Sequence, residues 1–393
     1  MNNQAIAVFL KKFNPPKIIF SLSLVLSLLC FAYLFRGFYY LIIDEIGAGD
    51  LHSRWQEQQY IYRGLYPYDI TKGSLLIDPQ LGAVTSGGYP PWAFFTGFIF
   101  FPPISWELTR WYHALLNTIS LVILAIFAYQ IGKPYGKLKS WFTVVACLSI
   151  SSHSTTLGLG QYGIIINALL IGVFWLLKKN HNLSAGLFLG LALVKPSISA
   201  LYFFIVIIRK NFDAVLACCL YLVIASYSIG IVTQTSPIYM IEKMVKVSQY
   251  YVSTGYSAIN IFTNFGINPL VATIFLAVLA TAIILGIFYL FKDNSLLFFF
   301  AIASVMGRLC TYHLIYDNVM LVFVLLAIIS LAFHKPNKSN ILILILVLLS
   351  LLLPGKSMDL PFAKILQSII WIAAFFYLLI NQKQFHNYSN NVN

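Results

Sequence analysis

The chain has 393 residues, of which 60% are hydrophobic and only 9% charged, with 25 Lys and Arg against 12 Asp and Glu. A mean hydropathy of +0.82, with a charge content far below the soluble average of about 25%, excludes a soluble globular enzyme. The net charge of +13 does not point to nucleic acid, because the Lys and Arg fall singly or in pairs between apolar runs, as membrane topology alone places them.

Apolar runs near the ~20 residues that cross a hydrocarbon core recur along almost the whole chain. In lipid, helices satisfy their own backbone groups, whereas the strands of a barrel would alternate in polarity. The expected fold is therefore all-α, a single polytopic membrane helix bundle over residues 1–383 with about ten to twelve transmembrane helices. The polar, Asn-rich residues 384–393 read as a disordered tail.

The first run, Ile18–Ile43, is too long for a signal-peptide core and lacks a small-x-small cleavage pattern, so it is expected to stay as an anchor. Residues 44–90 follow. They hold Asp44, Glu45, Asp50, Glu57, Asp69 and Asp78, half of the chain's 12 acids, and form a connection too long to serve only as a joint. Trp55, Tyr60, Tyr62, Tyr66 and Tyr68 suit the headgroup zone, so the loop is read as ordered, with short interfacial helices. Asp50 stands out, because it follows Gly47-Ala48-Gly49 just beyond the membrane exit. Two readings of it stand level: a rigidly placed general base, or a cap on a helix over 51–63. Arg54 lies four residues further on, and Asp44 and Glu45 are weaker candidates.

The run 92–105 is short and bounded by Pro90-Pro91 and Pro102-Pro103, so it is expected to dip into the membrane without spanning it. At the bend 151–163, Gln161 in Gly160-Gln161-Tyr162-Gly163 can donate and accept, which suits a sugar hydroxyl, or it can cap a helix. His153 is read as a bend residue. In 183–208, a single helix would bury Lys195 near the bilayer centre at roughly 2.5 to 3.5 kcal/mol. Two arms with Lys195-Pro196 at the tip avoid that cost, and Lys195 is then free to meet an anion. Asn260 belongs to a tyrosine- and amide-rich loop over 234–268. Arg308, His313 and Asp317 gather in "MGRLCTYHLIYDN", either as a phosphate site with Asp317 orienting the imidazole or as a local Arg-Asp tie.

Lys11, Lys12, Lys17, Lys133, Lys137, Lys139, Lys178, Lys179, Arg209, Lys210, Lys335, Lys338 and Lys383 mark the cytoplasmic side. The connections 44–90, 151–163, 195–196, 234–268, 308–317 and 354–361 then face outward together. The five cysteines lack CxxC spacing or a nearby His, which argues against disulfides and zinc. Walker, HExxH, GxSxG and GxGxxG patterns are missing.

In order, the chain presents an Asp-bearing outer loop with "GLYPYD", then "YPPWAFF", "GQYGIIINALL" and "SAGLFLGLALVKPS". This order, over residues 17–320, resembles glycosyltransferase family 87, the polyprenol-phosphate-sugar-dependent enzymes of the membrane-embedded GT-C class. The resemblance implies inverting transfer of a hexose, commonly mannose, from a lipid-linked monophosphate to an acceptor hydroxyl. The outer face of a bacterial inner membrane is the expected place. The family's catalytic aspartate maps onto Asp50, its Gly-Gln and Lys-Pro elements onto Gly160-Gln161 and Lys195-Pro196, and a late-loop histidine onto His313. Relatives carry a Ser-Trp or His-His pairing where this chain reads Thr311-Tyr312-His313.

The expectation is then that Asp50 deprotonates the acceptor while Lys195, His313 and Arg308 stabilise the departing phosphate. Arg54, Tyr89, Gln161 and Asn260 would contact substrate. No cofactor is called for, and a divalent metal is admissible but not required. The partners are polyprenyl-phosphate sugar, a glycolipid or glycan acceptor, and membrane lipids. A secondary transporter or flippase of lipid-linked sugars is the alternative, with a non-catalytic lipid-sugar-binding subunit behind it.

Overall fold

The computed structural model describes residues 15–385 except 86, 253, 254, 256 and 356–359. The tail assigned to 384–393 lies almost wholly outside the described residues. The described residues are 79% helical and include no strand. Among the described residues six helices are long and apolar enough to cross a membrane, and a seventh span arises if the pair Lys137–Leu148 and Ser152–Leu159, bent by 48°, is counted as one. Six shorter apolar helices of 10–17 residues complete the bundle. A polytopic helix bundle is thus the architecture, with fewer full-length spans than the apolar runs suggest.

Which helices sit inside follows from their surfaces. In the first helix, Pro15–Ile42, the apolar side chains Phe20, Leu24, Leu28, Phe31 and Phe35 are exposed, as suits a helix at the lipid boundary. Leu296–Cys310 and Val322–His334 instead bury almost every residue. Around them Phe127, Phe174, Tyr202, Phe300 and Phe323 pack edge to face, with centroids 4.9–6.3 Å apart, the arrangement ring quadrupoles favour. Small residues bring helices close where side chains would keep them apart. A Cβ on Gly186 of Asn182–Ala192 would lie 2.2 Å from the Ala214 carbonyl oxygen of Phe212–Thr233.

The connections gather at two ends. At one, Arg110 caps the last carbonyls of the first helix, with Nε 2.6 Å from Leu41 O and Nη2 3.1 Å from Tyr40 O. These are acceptors a helix C-terminus leaves unmatched. Trp92 donates to Leu193 O at 2.8 Å, Trp55 to Ile104 O at 3.2 Å and Tyr62 to Phe101 O at 2.8 Å. The segment 91–105 therefore enters and leaves at the same end. Its helix, Pro91–Phe100, has ten residues and rises about 15 Å, half of the ~30 Å core.

Lys195 lies at that same end. The two arms beside it begin and finish elsewhere, since Asn180 and Arg209 line one cavity with Gln130 and Asn294. The stretch 183–208 is thus a hairpin, broken at residues 193–195 between Asn182–Ala192 and Pro196–Ser199. The 3-10 turn Ala200–Tyr202 and helix Phe203–Ile208 complete the return arm.

Two glycines hold the long loop onto the bundle. A Cβ on Gly47 would sit 1.8 Å from the Tyr40 carbonyl oxygen, and one on Gly160 would sit 2.3 Å from Leu51 Cβ. Gly160 also has φ +71°, a left-handed value that glycine adopts without penalty. The Ala48 N–H donates to Gly158 O at 2.7 Å across this contact. Gly160→Ala is expected to destabilise the protein by about 1–3 kcal/mol, read as a lowered unfolding midpoint in detergent, whereas Gly286→Ala, with an ordinary helical backbone and open space around it, should cost less.

Candidate active site

The loop between the first helix and residue 91 is a folded unit. Gly49–Tyr62 forms a helix whose preceding residue, Ala48, is left-handed at φ 57°, ψ 30°. Tyr60, Ile61, Tyr66, Tyr68, Ile70, Leu81, Val84 and Phe94 make a second small core with Ile229 and Met240. Gln56 donates to Leu81 O, and Arg63 pairs with Asp78. Asp50 sits in the first turn of the 49–62 helix, where the helix dipole favours a carboxylate.

The cap reading of Asp50 is not what the side chain does. Its Oδ2 accepts from Gln161 Nε2 at 2.5 Å, and no bond to the helix's own N–H groups is present among the described residues. Gln161 comes directly after the left-handed Gly160 that ends helix Ser152–Leu159, and its own N–H donates to Thr156 O at 2.8 Å. Its Oε1 faces Lys195 Nζ at 3.4 Å. One amide therefore joins a carboxylate to an ammonium across elements 34 and 111 residues away in sequence.

The network continues behind Lys195. Its Nζ lies 2.6 Å from Asp317 Oδ1, and Asp317 Oδ2 lies 3.1 Å from His313 Nδ1. His313 Nε2 meets Thr311 Oγ1 at 2.8 Å, and Thr311 in turn reaches Ser197 O at 2.8 Å. Burial works against the Lys195 charge, but the Asp317 carboxylate outweighs it and holds the ammonium above its ordinary value. Burial pushes His313 below the ordinary imidazole value, although Asp317 opposes this. A neutral ring has one donor and one acceptor; with the proton on Nδ1 facing Asp317, Nε2 competes with the Ser197 and Gly307 carbonyls for the single Thr311 hydroxyl proton.

On the other side of Asp50, Arg54 pairs with Glu57 at 2.7 Å and stacks its guanidinium 4.3 Å from the Tyr89 ring centroid. Burial opposes its charge, and Glu57 overcomes that to raise its pKa. Asp50, Arg54, Tyr89, Gln161, Lys195 and Tyr316 line a cavity of about 560 Å³, within the range of small-molecule sites. Met244 and Ser248, from the helix Pro237–Val252, and Tyr312 close it.

Five of the eight residues singled out in the sequence thus share one cavity. The other three do not line it. His313 is fully buried behind Asp317. Arg308 turns away, donating from Nε to Asn318 Oδ1 at 2.6 Å and stacking 5.0 Å from the Trp371 ring, because the helix end at Cys310 points its guanidinium into the bundle. Asn260 caps its own helix, Ala258–Asn264, by accepting the Ser257 N–H at 3.1 Å. Missed in the sequence were Glu57, visible only as an i,i+3 partner of Arg54, and Asp317 as the partner of Lys195, 122 residues away, for which no local signal exists. His153 spans the bend at 149–151, its Nε2 3.0 Å from Cys147 O.

The fold and this cavity define a polytopic membrane protein with a partly open cavity carrying charged side chains at one end of its helices. The family model described as glycosyltransferase family 87 matches residues 88–354. That is about two thirds of the chain, which therefore belongs to glycosyltransferase family 87 and is a membrane glycosyltransferase. The match begins after Asp50 and Arg54, and continues beyond the residue-320 limit of the motif resemblance; Tyr89, Gln161, Lys195, His313 and Asp317 lie within it. Searches of curated proteins and of solved structures found no match.

Breaking a buried ion pair by removing one partner costs about 3–5 kcal/mol. Lys195→Met and Asp317→Asn are each expected to lower the unfolding midpoint, and the double variant to fall by less than the sum, measured as a double-mutant cycle. His313 has a lowered folded pKa, so its contribution is complete above the unfolded value of 6.5 and is lost as the pH falls toward the folded value. His313→Gln should flatten the decline in unfolding midpoint below about pH 6.5; an unchanged slope would remove the buried imidazole from the account.

Proposed function

We propose that this enzyme transfers a hexose, by its resemblance mannose, from a polyprenyl-phosphate donor to an acceptor hydroxyl at the extracytoplasmic face of the plasma membrane, with inversion. The observation that carries this reading is the Asp50–Gln161–Lys195 bridge along the cavity wall. It holds a carboxylate and an ammonium at fixed positions around one cavity, as a base and a phosphate-binding cation would require.

In this mechanism the Asp50 carboxylate takes the proton of the acceptor O–H as its oxygen attacks the anomeric carbon. The bond from that carbon to the phosphate oxygen breaks, and its electron pair leaves on the phosphate. Gln161 occupies one Asp50 oxygen, Oδ2, which orients the carboxylate and leaves Oδ1 for the hydroxyl. General-base help of this kind contributes roughly 10²–10⁴-fold.

Lys195 supports the leaving group. An ammonium has three donors; Asp317 and Gln161 engage two of them, and the third is available to the phosphate. Arg54 and Tyr89 supply a second cation and a ring face for the phosphate and sugar. His313 and Arg308 take indirect parts: His313 orients Asp317, and Arg308 braces the helix end behind it. The donor is already activated by its phosphate, so the reading requires no cofactor and routes no step through a metal.

Two features favour transfer over transport. The family is one of transferases, and the charged network is confined to one end of the helices, whereas an alternating-access carrier places its site near the midplane. The test uses purified protein in lipid with polyprenyl-phosphate mannose and a glycolipid acceptor. Asp50→Asn is expected to lower kcat at least about 100-fold with unchanged helicity and donor binding; turnover near the wild-type rate would dismiss Asp50 as the base. Lys195→Gln should raise KM for the donor and lower kcat.

A further inference from the structure

A second polar cavity lies at the opposite end of the bundle, between the C-terminus of helix Gly163–Lys178, the start of helix Leu296–Cys310 and the hairpin end at Arg209. It encloses about 400 Å³. It runs into a more open groove of about 510 Å³ through the shared residues Gln130, Trp175 and Lys178, where Lys179 is added. Nothing in the proposed transfer uses this space.

Its wall combines three chemistries. Lys178 and Lys179 are exposed, and Arg209 is half-buried. Trp175 and Leu297 give it an apolar side. Asp293 supplies an acceptor. Arg209 donates from Nη2 to Asn294 O, yet its Nε is buried with no hydrogen-bond partner among the described residues, and so is Asn294 Oδ1. Burial holds the guanidinium below its ordinary pKa, with Asp293 partly restoring it. Buried polar groups of this kind ordinarily have partners. These two atoms are closed off from the cavity, and the guanidinium stacks 5.2 Å from the Phe299 ring, so what the wall offers a ligand is the Lys178 ammonium, the outer face of Arg209 and the Asp293 carboxylate.

We infer that this cavity binds the phosphate of an anionic, hydroxyl-bearing glycerophospholipid headgroup, with Arg209 and Lys178 on the phosphate, Lys179 in the adjoining groove adding to the positive field, and Asp293 accepting from the headgroup hydroxyls. The setting agrees with this. The basic residues at this end mark the cytoplasmic leaflet, where basic pockets between helices meet anionic headgroups. Trp175, whose Nε1 donates to Gln130 Oε1 at 2.9 Å, is the kind of ring that settles at the lipid–water boundary. A quaternary ammonium headgroup offers no hydrogen-bond donor to Asp293 and carries no net negative charge for the basic residues.

The test uses delipidated full-length protein in detergent. Native mass spectrometry reads adducts with phosphatidylglycerol or phosphatidylcholine, and thermal shift reads inorganic phosphate. Wild type is expected to keep phosphatidylglycerol adducts at least tenfold better than phosphatidylcholine adducts. Arg209→Gln, and separately Lys178→Gln with Lys179→Gln, should each lower that retention at least tenfold. The two lysines are exposed, so their variant tests the site even if Arg209→Gln unfolds. A phosphate-induced shift that both variants abolish would support the same anion site with free phosphate as its source. Equal retention of both lipids, or retention unchanged in the lysine variant together with no phosphate shift, would overturn the inference.

Discussion

The ion pair between Lys195 and Asp317 is the contact on which the active end of this protein turns. An ammonium brought to 12% exposure and a carboxylate brought to 1% are each unfavourable alone, because both lose their hydration. Together, and with His313, Gln161 and the Leu314 N–H as further partners, they fix three separate stretches of chain. The helix must break at 193–195 to deliver the lysine. The segment after Cys310 must wind as a tight 3-10 turn, Ile315–Leu321, to deliver the acid. The glutamine after Gly160 must then face both the lysine and the incoming loop.

That geometry explains why the loop before residue 91 is so long and so rich in charge. It has to return to the bundle with a carboxylate at a set position, and it does so on its own small core of tyrosines and apolar side chains. Gly47 and Gly160 remove the two Cβ atoms that would hold it away. Ala48 tolerates a left-handed conformation in the same place. The short helix Pro91–Phe100 closes the space below through Trp92, and helix Pro237–Val252 covers it through Met244 and Ser248. The charge in "GAGDLHSRW" is thus concentrated where the chain folds back over its own helices.

Much of the site was legible because its residues are chemically conspicuous. An aspartate after Gly-Ala-Gly, a lysine before proline in an apolar stretch and a glutamine between glycines each depart from what lipid or a plain helix would choose. Arg54 and Tyr89 were marked by their company. His313 and Arg308 were equally conspicuous, yet a one-dimensional pattern does not tell a side chain that faces a cavity from one that supports the wall. Arg308 finds Asn318 and the Trp371 ring instead, and Asn260 serves its own helix terminus.

Composition and periodicity alone determined that the chain is helical and that it lies in a membrane, since these follow from the cost of exposing backbone and charge to hydrocarbon. Pro196 also marked the break within 183–208. Only the tertiary structure decided which charges neutralise one another, because Coulomb attraction depends on distance in space and the pairs 50–161, 161–195 and 195–317 are remote along the chain. It likewise decided that several apolar runs are half-length pieces, since a run of apolar residues records burial without recording whether lipid or protein does the burying.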